Sequence, residues 1–463
     1  MNWTKKQFST LAVVAITSFM GTFLISSINI ALPAIEKSFE LDAVSLSWVI
    51  TSFLLATAIL QFPVGKLGDI SGIERLYKIG LVIFTVSSLL NGLAVSGSWL
   101  IVFRFIQGVG AALTNTTGSA ILVSEFPPQN RGRVLGISVS AVYLGLAFGP
   151  FAGGIITQHI GWRFIFFIAA ALGLISTVFS FIFLKNEKKI STEKISDIDF
   201  KGTIFFVLGL IGLVYGSSQI PALFGWVLMM GGVFSTVVFW LLESRAKSPM
   251  IDVKLYTKNR LFAFSNLAAL INYTATSAIV FFLSLYLQKV QGFSPQKAGT
   301  ILIAQPIMMA VFSPIVGRLS DRIQPRYFAT IGMAMCAVGL AAFAFLTAKT
   351  PIWVIVTVLI WVGLGFALFS SPNMNTIMSS VNKTQYGQAS GSAASMRVLG
   401  QITSMTIVTL IFASMFGNKV IESIPDALFL QAMKWGFLCF SLIGVAGVYF
   451  SFNRGNLERK PNG

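Results

Sequence analysis

The stretch Gly65-Lys-Leu-Gly-Asp69-Ile-Ser-Gly72-Ile-Glu-Arg75 returns late in the chain as Gly317-Arg-Leu-Ser-Asp321-Arg322-Ile-Gln-Pro-Arg326. Both copies run glycine, leucine two residues on, aspartate at four and a base at nine or ten. Each closes an apolar block and opens a polar loop. One such loop would say little, because glycine, aspartate and arginine are ordinary loop residues. Two copies at matching places in two halves make an internal repeat, the usual architecture of secondary transporters.

The blocks around these loops set the class. Of 463 residues, 55% are hydrophobic and only 11% charged, and the mean hydropathy is +0.80. A soluble domain carries about 25% charged residues, so a soluble enzyme, a disordered chain and a single-anchor receptor are all excluded. Fourteen apolar segments follow one another, at approximately 9–33, 45–65, 78–96, 98–123, 134–157, 164–184, 202–218, 225–242, 261–288, 298–316, 328–347, 352–378, 393–416 and 433–452. About 20 residues cross the hydrocarbon layer, and lipid offers no partner to an open backbone, so each segment is expected to be a helix. The first block, from Ser9, has no small-residue cleavage site after it and is expected to be retained.

Alternating loops define two sides. The side holding both termini carries 24 of the 33 Lys and Arg residues, the other side 7, and Arg104 and Arg397 lie within spans. This bias places both termini in the cytoplasm of a multi-pass plasma-membrane protein. It also accounts for the +17 net charge without a nucleic-acid partner, which would need a basic patch on a folded domain. The longest polar pieces, 185–201 and 243–260, are too short to bury a core. Cys336 and Cys439 stand apart in apolar runs, and no GxxxxGK[ST] loop occurs, so neither a disulfide or metal site nor an ATP-driven pump is expected. A membrane-embedded enzyme and a transport-fold receptor are the alternatives from other classes, but no His/Asp/Glu cluster supports the first and no signalling domain the second.

Further motifs stand outside the repeat. Arg104-Phe-Ile-Gln107-Gly108-Val-Gly110 lies in the fourth segment, and Gly145-x-x-x-Gly149-Pro150-x-x-Gly153-Gly154 in the fifth. Asn29-Ile-Ala-Leu-Pro33 closes the first, Trp162-Arg163-Phe164 opens the sixth, and Tyr286-Leu-Gln288 precedes Gly292-Phe-Ser. In these motifs, and in the Gly65, Leu67, Asp69, Gly72 and Arg75 loop, the chain resembles the major facilitator superfamily in its fourteen-helix drug:proton antiporter branch, over nearly its whole length. The resemblance implies an all-α integral membrane fold of two six-helix bundles, 1–184 and 261–463, joined by 185–260 with an inserted helix pair. It implies a proton gradient as the driving force and no bound cofactor. It also assigns the cytoplasmic gate to Gly65, Asp69, Gly72, Arg75, Gly317, Asp321 and Arg322. The fifth-segment motif is the one the family associates with exporters. Departures occur at Ile70 and Glu74, where the family has bases, and at Leu24, which aligns with the branch's first-helix Asp.

The residues carry their own physics. Gly145, Gly149 and Gly153 recur every four positions on one helix face, where small residues admit a neighbouring backbone, and Pro150 bends the helix. With Gly154 they form an expected hinge against the other half. Polar residues inside a membrane are costly and face a bundle interior or water. They fall in stripes: Thr22, Ser26 and Asn29; Arg104, Gln107 and Asn115; Asn266, Tyr273, Ser277, Ser284 and Gln288; Arg397, Gln401 and Ser404. Any single Ser or Thr among them is better explained by a bond to its own helix, and the stripes carry weight only as a set. Substrate or proton coupling is accordingly expected at Arg104, Gln107, Asn115, Ser26, Asn29, Tyr273, Gln288 and Arg397. Arg104 either meets the substrate or braces its helix against a carbonyl. No acid lies well inside a segment, which leaves Glu36, Glu125 and Asp69 as the nearest carboxylates and favours a neutral or anionic substrate. His159 near one end of the fifth segment is an interfacial residue or a pH sensor. The pair at 202–242 has almost no polar side chain and reads as a lipid-facing hairpin. The expected protein is a monomeric secondary exporter of small amphiphilic compounds, or of an endogenous anionic or neutral metabolite, with the lipid bilayer as its other partner.

Overall fold

The computed structural model describes residues 3–184, 199–246, 253–320, 322–382, 385–417 and 419–457. Thirteen helices among them are long and apolar enough to cross a membrane. In chain order the long helices are α1 (Lys5–Phe39), α2 (Ala43–Ser71), α3 (Ile73–Gly92), α4 (Gly97–Glu125), α5 (Pro128–His159), α6 (Arg163–Phe183), α7 (Phe200–Ser218) and α8 (Leu223–Arg245). They continue as α9 (Arg260–Val290), α10 (Pro295–Ser320), α11 (Pro325–Phe343), α12 (Ile352–Ser379), α13 (Tyr386–Met415) and α14 (Asp426–Asn453). The helix outside the thirteen is α3: it has 20 residues but begins with Glu74, Arg75 and Lys78.

Local chemistry sets many of the ends. Thr4 and Gln7 form a reciprocal capping box before α1, and Asp42 accepts the backbone N–H of Val44 and Ser45 at 2.9 Å before α2. Pro128, Pro295 and Pro325 occupy first helical positions, where a missing N–H costs nothing. α9 is interrupted between Thr276 and Ile279 and ends in a π-helical turn, Tyr286–Val290. α10 is interrupted at Ile303.

The chain forms two compact units. One comprises Met1–Met250, Val280–Ile303 and Met405–Asp426; the other comprises Ile251–Ile279, Ala304–Ser404 and Ala427–Gly463. In the first, α1 lies along α5, α4 lies between α2 and α3, and the first turns of α10 pack on α5. Leu11, Tyr77, Leu122, Phe126 and Leu184 form a buried cluster near its N-terminal end. In the second unit α12 takes α10, α11 and part of α9.

The two copies of the repeat pack alike. A β-carbon at Gly65 would lie 3.9 Å from Thr116 Cγ2 on α4, and one at Gly317 would lie 2.6 Å from Ser371 Oγ on α12. Each loop glycine therefore faces the helix two positions on. The turns themselves differ. Gly72 links α2 to α3 with no further residue, at φ +91°, a conformation strained for any side chain. The second copy enters α11 through Gln324 and Pro325 instead.

The pair α7–α8 agrees with its sequence. Gly209, Gly212 and Gly216 face Gly225 and Gly232, so that a β-carbon on Gly212 would lie 2.9 Å from Gly232 Cα. The remaining surface, including Ile204, Leu208, Trp226, Met230 and Phe234, is exposed and apolar. One edge docks on α2 through the rings of Phe62 and Phe206, 5.4 Å apart.

Candidate functional site

Arg104 is fully buried in α4. Its Nε donates to the carbonyl of Val49 on α2 at 2.9 Å, and Nη1 donates to Gln107 Oε1 at 2.6 Å. Gln107 Nε2 then donates to Ser88 Oγ on α3 at 2.6 Å. The guanidinium carbon lies 4.4 Å from the centre of the Phe53 ring, a favourable placement for a cation. Arg104 thus ties α2, α3 and α4 together, and only Nη2 has no partner. The carbonyl it braces belongs to α2. Asn115 follows on the same stripe but is exposed and stands about 16 Å further along the helix at 1.5 Å per residue. The two do not share one site.

The α1 stripe has a structural partner. Thr22 Oγ1 donates to the carbonyl of Val142 at 3.1 Å, Ser26 Oγ to Leu146 at 3.2 Å and Ser27 Oγ to Gly149 at 2.9 Å, all on α5. The glycines of α5 are what let those hydroxyls approach. A β-carbon at Gly149 would fall 2.5 Å from Ser26 Cβ, and one at Gly153 would fall 2.8 Å from Ser27 Cα. Gly145 meets Thr22 and Phe19 in the same way. The expected seam against the other half is therefore corrected: these three glycines face α1. Only the far end of the motif meets a later helix, with Gly154 against Pro295 and the Pro150 carbonyl against Gly299 of α10.

At the end of this unit remote from the N-terminus, hydrogen bonds join segments far apart in sequence. Ser284 Oγ donates to the carbonyl of Asn29 at 2.6 Å, and Gln288 Nε2 donates to that of Ile30 at 2.9 Å. The Asn29 side chain turns back to the carbonyl of Ile25. Glu36, 4% exposed, accepts the backbone N–H of Glu422 at 2.9 Å. Lys289 sits close by, 3.5 Å from Asp426 and 3.3 Å from the Glu422 carbonyl. His159 Nε2 lies 3.1 Å from Gln296 Oε1. The α1 position where the related branch has an acid holds Leu24, which is fully buried. Glu125, at the opposite end, pairs with Lys6 at 2.7 Å.

In the second unit, Ser392 Oγ donates to Asn266 Oδ1 at 2.8 Å and also bonds the Tyr256 hydroxyl, whose ionisation burial disfavours. The Tyr273 ring meets Phe366 edge-on at 5.5 Å, and Gly400 on α13 lets the backbones approach there. Arg397 and Gln401 are half-buried on α13, and Ser404 is buried. Arg75, in the first turn of α3, and Arg322, in the turn after α10, are exposed. Asp321 and the side chain of Asp69 lie outside the described residues. Sequence reading missed Arg454 and Asn373: a base just after the last apolar segment looks like an ordinary loop charge, and only its burial sets it apart. The one signal available was an asparagine inside the twelfth segment.

Residues 12–405 match the family model described as Major Facilitator Superfamily. The chain is 31% identical over 419 residues to the riboflavin transporter RibZ of Clostridioides difficile, covering 90% of each protein. It is 27% identical over 417 residues to the multidrug resistance protein Stp of Mycobacterium tuberculosis, covering 89% of this chain and 76% of that one. Its structure is similar to that of a bacterial homologue of the human lysosomal transporter Spinster, in an inward-facing, unoccupied conformation. That match has a TM-score of 0.68 and 15% identity, and it covers 98% of both chains.

Proposed function

The chain belongs to the major facilitator superfamily, and on that premise we propose that it is a secondary active exporter of a small, neutral amphiphilic molecule. It is a multi-pass membrane transporter. The observation that carries the substrate is the burial of Arg104. A guanidinium held by a carbonyl, an amide and a ring presents little charge to a translocation path. Recognition then falls to neutral groups, of which exposed Asn115 is one in the first unit. Likeness to a riboflavin transporter and a multidrug resistance protein supports this class, since riboflavin itself joins a flat ring to a polar chain. Ser26 and Gln288 act in this reading as helix-to-helix contacts, as does the backbone carbonyl of Asn29, whose side chain bonds its own helix. An endogenous anionic metabolite is the second reading, and it rests on the unpartnered Nη2 of Arg104.

Export rests on the Gly145 to Gly154 motif, and the cytoplasmic orientation of both termini on the charge bias. Counting α3 as a span gives fourteen, arranged as six, two and six, in a monomer. The gate at Asp69 and Asp321 works on the terminal side. Proton coupling runs through Glu36, whose carboxylate clasps the Glu422 backbone and would release it on protonation.

Inverted vesicles with an imposed pH gradient test the proposal. Gradient-driven uptake of riboflavin-like neutral amphiphiles is expected, with lipophilic cations excluded; selective uptake of cations would refute the substrate class. Glu36→Gln should remove the dependence on the gradient while leaving substrate exchange. Unchanged gradient-driven uptake in that variant would place the coupling elsewhere.

A further inference from the structure

Arg454 is the first residue beyond α14 and is 1% exposed. Its Nη1 donates to Asn373 Oδ1 at 2.7 Å, and Asn373 Nδ2 donates to the carbonyl of Ser265 at 3.0 Å. That anchor uses one corner of the guanidinium. The opposite edge, Nε together with Nη2, is the planar fork that grips two oxygens of a phosphate or carboxylate. Both nitrogens are buried and have no hydrogen-bond partner.

A second guanidinium is close enough to repel the first. Arg326, at the start of α11, is half-buried, and its Nε is likewise buried and unpartnered. Burial and this neighbouring charge push the Arg454 guanidinium down to about 9. Among the described residues of this unit there is no Asp or Glu. Two adjacent cations with three buried donor nitrogens that lack a partner are costly until an anion joins them.

The surroundings indicate which anion. The Arg326 guanidinium carbon lies 5.0 Å from the ring of Tyr327 and 5.4 Å from that of Phe452, and both rings are exposed. Ile323 and Tyr449 are exposed as well. Gln324 clamps the backbone of Leu457 with two 3.1 Å hydrogen bonds, tying the C-terminal tail to the start of α11. A charged fork beside exposed apolar side chains at a helix end suits a molecule with a phosphate at one end and hydrocarbon at the other.

We infer that Arg454 and Arg326 form a binding site for a phosphate-bearing anion, and that its occupant is the headgroup of an anionic phospholipid lying along Ile323, Tyr327, Tyr449 and Phe452. Arg454 supplies the inner fork, positioned by Asn373. Arg326, held by ring faces, is the outer jaw that moves to admit the headgroup.

The full-length protein in neutral detergent tests this by thermal unfolding and native mass spectrometry. The probes are phosphatidylglycerol, phosphatidylcholine and inorganic phosphate. Phosphatidylglycerol should bind and raise the unfolding midpoint, phosphatidylcholine should do neither, and phosphate alone should act only at far higher concentration. Arg454→Gln and the half-exposed Arg326→Gln should each weaken phosphatidylglycerol binding by about tenfold, the effect of losing a charge-assisted hydrogen bond. Arg326→Gln keeps the buried anchor intact and so reports on binding even if Arg454→Gln folds poorly. Equal binding of the two lipids, or undiminished phosphatidylglycerol binding in both variants, would overturn the site. Phosphate as effective as the lipid would overturn its assignment to a lipid.

Discussion

Arg104 and Arg454 are both buried guanidiniums, and they are bonded in opposite ways. Arg104 gives Nε to a carbonyl of α2 and Nη1 to Gln107, which reaches Ser88 on α3. Its fork edge is broken by the backbone it braces. Arg454 gives away only Nη1, to Asn373, and keeps the fork edge whole. Depth within a span is therefore a poor guide to function in this protein. What separates a brace from a binding group is which edge of the guanidinium the fold already occupies.

The largest expected effect that probes this contrast is Arg104→Ala. Removing it strips the Val49 carbonyl and Gln107 of their partner and leaves a cavity, a loss of about 3 kcal/mol. The yield of monodisperse protein and the unfolding midpoint should both fall. Arg104→Lys should recover little, because an ammonium lacks the planar geometry that reaches both partners. A well-folded Arg104→Ala protein that has lost substrate binding alone would break the comparison and make Arg104 a recognition residue.

A smaller loss, about 1–3 kcal/mol, is expected from Gln107→Leu, which leaves Arg104 Nη1 and Ser88 without their bridging amide. Its unfolding midpoint should lie between those of the parent protein and Arg104→Ala. A midpoint at or above the parent's would mean that the amide bridge contributes nothing.

The smallest effect belongs to Arg454→Ala. Removing a charge whose fork is unfilled should cost less than about 1 kcal/mol in neutral detergent, because an uncompensated cation is lost with its favourable bond to Asn373. The variant should differ from the parent protein only when anionic lipid is added. Equal destabilisation by Arg104→Ala and Arg454→Ala without lipid would erase the distinction between the two regions.

The same contrast shows how far sequence reading reached. The helices were legible because each apolar block is long enough to cross a bilayer, and lipid leaves a backbone no other means of satisfying its polar groups. The α7–α8 hairpin was legible from its lack of polar side chains, and the loop repeat from spacing alone. α3 was legible by position, although its charged first turn separates it from the thirteen apolar helices. The stripes were real, but their meaning was not in the period. Thr22 and Ser26 align because they bond to α5, and Ser284 and Gln288 align because they bond to α1. A polar stripe that lines water and one that cements two helices have the same spacing. The glycine motif gave its face correctly but not the neighbour it meets, since close approach to any backbone demands the same small residues.

The sequence by itself determined that this is a polytopic helical membrane protein, built on a repeat, of the major facilitator superfamily. Those properties follow from segment length, hydropathy and local motifs, which are carried by residues near one another in the chain. Tertiary structure alone decided which polar groups are occupied: that Arg104 meets Val49 and Gln107 reaches Ser88, and that Glu36 holds the backbone at Glu422. It also decided that Arg454 is buried with its fork free. Each of these depends on a partner distant in sequence. A charged group's role in a low-dielectric interior is set by that partner far more than by its own identity.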